Sequence, residues 1–268
     1  MAPPPEGRTG DAGGPVRTAA GKVLAVLATF TRDQQSQSLS QIARHARIPL
    51  STAHRIVAEL ADWGALERGE DGTWHVGLRL WEVGSAAPRT QILRDAALPF
   101  MQDLYEGTHE NVQLAVREGT ELVFVERIAG HRSVELITMV GARFPLAATG
   151  MGRVLLAHAP AEIREVVLEH PLQAFTPFTI TDPEVLRAQL NGIRREQVVV
   201  SDRQLSESTL AVAAPVRIGA TGPVHAALGV VVAAERTTDR VRALRRPVLL
   251  AAQGISDALG RRVGATGV

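Results

Sequence analysis

The spacing of apolar side chains divides the chain into segments of different period. Residues 1–16 are rich in Pro, Gly and Ala and carry no apolar periodicity, which predicts a disordered tail. From Thr18 onward, Val23, Leu24, Val26, Leu27 and Phe30 recur at helical spacing and predict an amphipathic helix ending near Thr31. The polar run 32–38 predicts a loop, after which Ser38 or Ser40 can cap a second helix with apolar positions Leu39, Ile42, Ala43 and Ala46. Pro49 bars Ile48 from the helical basin, so that helix ends before it. A third helix, with Ser51 as its expected cap, carries Ala53, Ile56, Val57 and Leu60 on one stripe. Two helices joined so tightly must cross steeply, which is the geometry of a helix-turn-helix. Asp71-Gly72 between two β-prone runs then predicts a hairpin. Three helices followed by a hairpin make a winged helix-turn-helix domain over 17–78.

A short helix over 78–85, a break at Pro88 and an apolar-periodic stretch over 92–105 predict a helical linker, assigned to 79–106. Beyond Gly107 the period becomes two. Residues 112–116 and 121–127 read as strands around a Gly119-Thr120 turn, and 134–139 reads as a third strand. Helices over 152–158, 160–169 and 183–196 follow, then strands over 211–218 and 226–233 and a last helix over 238–259. Strands grouped around helices, with antiparallel hairpins, predict an α+β domain spanning 92–263, which overlaps the end of the linker. The expected fold class is α+β, with an N-terminal winged helix-turn-helix joined by a helical linker to a C-terminal domain.

Composition narrows the function classes. A length of 268 residues fits two domains, and 45% apolar with 21% charged residues is ordinary for a chain that buries a core. Basic residues number 29 against 28 acidic ones, a net charge of +1. That excludes a wholly basic nucleic-acid-coating protein but leaves room for a local basic face. Every basic residue except Lys22 is arginine, a bias that suits phosphate contacts and that a GC-rich genome also produces. The absence of cysteine excludes disulfides, thiolate metal sites and cysteine nucleophiles. The eight histidines never stand four apart, and no HExxH, GxSxG, P-loop or complete GxGxxG pattern occurs. No enzymatic activity, metal or cofactor is therefore expected. No apolar run reaches the roughly 18–20 residues that span a membrane, and residues 1–14 lack the apolar core of a secretory signal. The expected compartment is the cytoplasm.

The helix-turn-helix carries the strongest chemical signal. A recognition helix needs an apolar stripe fixing it to its own domain and short polar or arginine side chains near its N-terminal half. On the third helix Ser51, Thr52, His54, Arg55 and Glu59 face away from the stripe. Ser51 and Thr52 suit phosphate, His54 and Arg55 suit base edges, and Ser40, Arg47 and Arg68 are further candidate DNA contacts. His54 reads equally as a neutral surface histidine, and Arg68 as a partner of Glu70. Between Leu39 and Leu60, Arg44, Arg47 and Arg55 stand against Glu59 alone, a local charge of +2 in a near-neutral chain. The competing reading is a packing module with a solvated polar face, its winged helix making only protein contacts and its C-terminal domain binding or transforming a small molecule.

The chain resembles the IclR family of bacterial transcription regulators. The likeness begins at Gly21-Lys22-Val23-Leu24 and runs through "LSQIARHARIPLSTAHRIVAELADWGALER" and "DGTWHVGLRLWEVG". It continues through "LITMVGARFPLAATGMGRVLLA", "FTITDPEVLRAQLNGIRREQVVVSD" and "VAAPVR", in the family order, over about 18–262. The resemblance implies a homodimer or homotetramer whose winged helices bind palindromic double-stranded operator DNA, with repression favoured over activation. It implies a GAF-like C-terminal domain that binds a small organic acid.

The resemblance also implies where that acid binds. Thr149-Gly150-Met151-Gly152-Arg153-Val154 matches the family's T-A-x-G-K-A loop, placing Thr149, Gly150 and Met151 at effector-contact positions at the start of a helix. Ser201-Asp202 matches a polar or acidic pair that closes the pocket. Where the family often has glycine, an apolar residue and then a cysteine, this chain has Ser208, Thr209 and Ala211. Two family serines on the next strand are replaced by Gly229 and Val231. Each lost polar partner would leave a buried ligand group unpaired at a cost of about 1–3 kcal/mol, so the resemblance points away from a small 2-oxo acid. A larger, apolar or aromatic acid is expected. The alternative is a C-terminal domain that takes no effector and serves only oligomerisation.

Overall fold

The computed structural model describes residues 18–31, 34–86, 88–129, 134, 136–235 and 238–265. The predicted tail over 1–16 and His131 lie outside them. The described residues form two compact units that divide between Gln91 and Ile92.

In the first unit α1 (Ala19–Leu27) is capped by Thr18, whose side chain accepts from the Gly21 amide at 3.0 Å. A two-residue strand, β1 (Ser36–Gln37), lies in the run expected to be a loop. It forms around one buried side chain. Gln37 donates through Nε2 to the Thr29 carbonyl at 2.8 Å, and its Oε1 lies 2.7 Å from His45 Nδ1. One amide thereby ties the end of the first helix to the second, α2 (Leu39–His45). Ser38 caps α2 in a reciprocal capping box with Gln41, leaving Ser40 exposed in the first turn. Then come α3 (Leu50–Trp63), β2 (Leu66–Arg68), β3 (Trp74–Val76) and α4 (Leu78–Ser85). β3 pairs antiparallel with both β2 and β1. The core is small: Val26, Ile42, Ala46, Ile56, Val57 and Leu66, with Leu60 and Trp74 packed against it.

α5 (Pro88–Thr108) crosses the boundary between the units at Gln91 and Ile92. The second unit continues with β4 (Asn111–Glu118), β5 (Glu121–Ile128), β6 (Arg143–Pro145) and, after a 3-10 turn at Leu146–Ala148, α6 (Gly150–Ala157). α7 (Ala161–Glu169), α8 (Pro183–Glu196), β7 (Val199–Asp202), β8 (Thr209–Arg217), β9 (Val224–Ala233) and α9 (Thr238–Ala265) complete it. The six strands form one antiparallel sheet in the order β6-β5-β4-β9-β8-β7. One face packs Val112, Leu114, Val212, Leu228 and Val230 against Leu93 and Met101 of α5 and Val248 and Ile255 of α9. The opposite face carries Ala115, Ala213 and Ala227 beneath Val154 and Leu155 of α6, with Leu186 and Leu190 of α8 joining them. Both faces are covered, so the central strands are apolar on both sides.

One expected strand is absent. The described residues of 134–139 are irregular, with a single bend at Ile137, and two of their carbonyls are taken by side chains: Asn111 Nδ2 donates to Val134 O at 2.9 Å and Gln113 Nε2 to Thr138 O at 3.3 Å. The edge position belongs instead to β6, which pairs with β5 from Glu121 opposite Pro145.

Candidate functional site

The first candidate site is the exposed face of α2, α3 and the wing. α2 ends in a Schellman arrangement in which the Arg47 amide bonds Arg44 O at 3.2 Å and the Ile48 amide bonds Ala43 O at 3.0 Å. That geometry demands a left-handed residue, and Arg47 supplies it with φ of 55°. Pro49, rather than Ser51, stands at the N-cap of α3 and offers no side-chain acceptor. Ser51 and Thr52 therefore sit inside the first turn, whose amides lack a capping side chain. Ala53, Ile56 and Val57 are buried, while Ser51, His54 and Arg55 are exposed. Arg55 pairs with Glu59 at 3.7 Å, with both side chains mostly in solvent, a weak pair that leaves the guanidinium accessible.

In the wing, the Gly69 amide donates to Thr73 O at 2.8 Å and Gly72 takes φ of 81°. The Thr73 hydroxyl donates to Asp71 Oδ1 at 2.7 Å, and this bond, with that from the Thr73 amide, holds the Asp71 carboxyl below its usual pKa. Arg68 does not rely on Glu70; its guanidinium lies 5.8 Å from the Trp74 ring centre, exposed beside the turn. Trp63 is similarly covered by Arg79 at 4.7 Å.

The second candidate site is a cavity of about 470 Å³, counting its open mouth, between the sheet, the start of α6 and the 136–138 segment. Of the residues expected around an effector, Thr149, Gly150, Met151, Ser201, Thr209, Ala211 and Val231 line it. Asp202 does not. It follows Ser201 on β7, so its side chain leaves by the other face, where it is exposed and pairs with Arg203 at 3.0 Å. Gly229 does not line the cavity either. A Cβ there would fall 2.9 Å from Met151 Sδ, so the absent side chain makes room for the methionine.

Sequence reasoning missed the far wall, formed by Gln113 of β4, Phe124 of β5, Leu136, Ile137 and Thr138, and the Gln204-Leu205-Ser206 loop. Those strand positions lie far from the α6 motif in sequence. The loop is anchored by Thr176 Oγ1 donating to Arg203 O at 2.7 Å and Thr179 Oγ1 donating to Gln204 O at 2.6 Å.

Polarity is concentrated where α6 begins. Thr149 caps the helix, accepting from the Gly152 amide at 2.8 Å, while the Gly150 and Met151 amides precede the first intrahelical bonds. Beneath them lies Arg153, 0% exposed, donating to Ser201 Oγ at 2.6 Å and to Gln204 Oε1. Arg153 has no carboxylate partner among the described residues, and burial alone lowers its pKa to about 10. Because Arg153 occupies acceptor sites on Ser201 and Gln204, the Ser201 hydroxyl proton and the Gln204 amide protons are left to donate. Backbone amides, two donating side chains and a buried cation behind them make this end complementary to an anion. Phe124, Leu136, Met151 and Val231 supply an apolar wall, and among the described residues no acidic side chain lines the cavity. Among the described residues no cluster of His, Asp or Glu could hold a metal ion, and no helix is long and apolar enough to cross a membrane.

The family model described as "Bacterial transcriptional regulator IclR C-terminal" matches residues 86–257, and "IclR helix-turn-helix domain" matches 19–70. The HTH-type transcriptional repressor AllR of Klebsiella pneumoniae is 32% identical over 241 residues, covering 88% of this chain and 88% of that protein. The HTH-type transcriptional regulator KipR of Bacillus subtilis is 33% identical over 196 residues, covering 73% of this chain and 78% of that protein. An IclR homolog from Microbacterium hydrocarbonoxydans, crystallised in complex with 4-hydroxybenzoate, superposes with a TM-score of 0.83 at 38% identity, covering 89% of this chain and 97% of that one. The Thermotoga maritima IclR superposes with a TM-score of 0.74 at 26% identity, covering 90% and 98%. A winged helix-turn-helix, an α+β domain with a donor-lined cavity and family models matched in both parts lead to one conclusion: the chain belongs to the IclR family of bacterial transcriptional regulators.

Proposed function

We propose that the protein is a cytoplasmic, non-enzymatic repressor that binds a palindromic operator and is controlled by a small organic acid with an apolar or aromatic body. The carrying observation is the cavity's division into a donor-rich end at α6, Ser201 and Gln204 and an apolar wall at Phe124, Leu136 and Met151. A carboxylate fits the first and a ring or chain the second. The related Microbacterium protein bound to 4-hydroxybenzoate supports an acid of that kind.

On the DNA side α3 enters the major groove. Thr52, Ser51 and the uncapped first-turn amides take phosphate, Arg55 and His54 reach base edges, Ser40 and Arg47 flank them, and Arg68 in the wing takes a neighbouring phosphate. Leu78 and Trp81, three residues apart on one face of α4, are 63% and 68% exposed, an apolar pair that supports assembly into a homodimer or homotetramer. Effector binding then favours one arrangement of the recognition helices, with α5 carrying the change and a coupling of about 1–3 kcal/mol.

The test is a mobility shift of the gene's own upstream DNA by the full-length protein. Arg55→Ala should weaken binding by at least about tenfold without lowering the melting temperature, and affinity should fall steeply with salt. Salt-independent binding, or none, overturns the repressor reading. For the cavity, 4-hydroxybenzoate at saturating concentration should raise the melting temperature and change the shift.

A further inference from the structure

The cavity has a second polar feature, on β4, three strands along the sheet from Ser201 of β7. Gln113 on β4 is 1% exposed and lines the cavity. Its Nε2 donates to Thr138 Oγ1 at 2.7 Å and to the Thr138 carbonyl at 3.3 Å. A carbonyl oxygen accepts and cannot donate, so the amide cannot be turned over: nitrogen must face Thr138 and oxygen must face away. That oxygen, Oε1, is buried and has no hydrogen-bond partner among the described residues. A buried amide acceptor without a donor is rare in native structures and costs stability, which marks this oxygen as a place for a ligand's donor.

The two ends have opposite sense. At Ser201 and Gln204 the buried Arg153 consumes acceptors and leaves donors. At Gln113, Thr138 consumes the donor and leaves an acceptor. Ser201, Ala211 and Val231 form one cross-strand row over β7, β8 and β9, while Gln113 lies opposite Gly229 in the adjoining row on β4. β7 and β4 stand three strand spacings apart, about 14 Å between backbones, before the side chains reach inward. Met151, seated against Gly229, occupies the apolar middle.

We infer that Gln113 is a specificity-determining residue of this cavity: the effector is an acid that carries a hydrogen-bond donor, a hydroxyl or an amine, on the far side of its apolar body. The inference rests on the acid-effector reading of the same cavity. It adds a requirement which that reading lacks. An acid without the donor would seal Oε1 under an apolar surface, whereas one with it satisfies that acceptor.

The experiment is a titration of the full-length protein with benzoate, 4-methylbenzoate, the three hydroxybenzoates and 4-aminobenzoate. At least one hydroxylated or aminated acid should bind about tenfold or more tightly than both benzoate and 4-methylbenzoate, the methyl compound matching size without a donor. In Gln113→Met, similar in shape and lacking the acceptor, that preference should shrink to about twofold while benzoate binds as well as before or better. Equal affinity for all acids in the natural protein overturns the role of Gln113 and leaves the acid reading standing. A preference that survives in Gln113→Met also overturns it, because the donor is then read elsewhere. If no acid binds, the acid reading falls and this inference falls with it. Should Gln113→Met fail to fold by circular dichroism, the ratio in the natural protein decides alone.

Discussion

Arg47 shows how one residue can serve two demands that conflict. Its left-handed backbone closes the turn between α2 and α3, a place where glycine is the unstrained choice, yet its side chain is part of the local positive charge. Arg47→Gly should raise stability to unfolding by about 1 kcal/mol while weakening operator binding, measured by thermal melts and mobility shifts on the same preparation. Gains in both would sink its role on DNA. His158, at the end of α6, is poised in the opposite way. Burial, with Arg217 and Arg194 nearby, pushes its pKa down to about 4, and its Nε2 is buried without a partner. The folded state keeps it neutral while the unfolded state takes up a proton near pH 6.5. It therefore costs nothing above that pH and destabilises progressively as pH falls toward 4, by roughly 1–3 kcal/mol. His158→Asn should flatten the stability profile across that window, as followed by urea unfolding at pH 7, 5.5 and 4.5.

Elements with explicit start and stop signals were legible in the sequence, and those fixed by distant partners were not. α8 has its bounds written locally: Asp182 accepts from the Glu184 amide at 2.8 Å, Pro183 opens the helix, and Arg194 and Arg195 sit in the last turn. β1 had no such signature, because a two-residue strand is made by the buried bonds of Gln37 to Thr29 and His45. The 134–139 segment reads as a strand by composition, but whether its carbonyls meet a strand or side chains is decided by Asn111 and Gln113, more than twenty residues upstream. The cavity divides the same way. Family likeness reached the α6, β7, β8 and β9 positions, whereas Gln113 and Phe124 emerge only when the sheet brings them together. α6 itself depends on close seating against the preceding turn. A Cβ on Gly152 would lie 2.3 Å from the Leu146 carbonyl oxygen, a backbone atom with no freedom to retreat. Gly152→Ala should cost about 2–3 kcal/mol and weaken acid binding together, both readable from melting curves with and without ligand.

At the scale of the whole molecule the two units carry cores of very different size: the first rests on a small cluster around Ile42 and Ile56, the second on two layers either side of a six-stranded sheet. Calorimetry should resolve two transitions rather than one. A saturating acid should raise only the one belonging to the second unit, by about 2.7 kcal/mol of stabilisation at a hundredfold excess over Kd. A single transition moved as a whole would mean that the units melt together. The lone guanidinium of Arg153 carries this into the life of the protein in the cell. Enclosing a cation with no carboxylate beside it among the described residues is a standing penalty on the ligand-free fold. An acid held by Ser201 and Gln204 sets a negative charge near it and lifts part of that penalty. On the proposed acid-effector reading, chains without effector should unfold more often and meet proteases sooner, so that the half-life of the regulator should rise and fall with the supply of its acid.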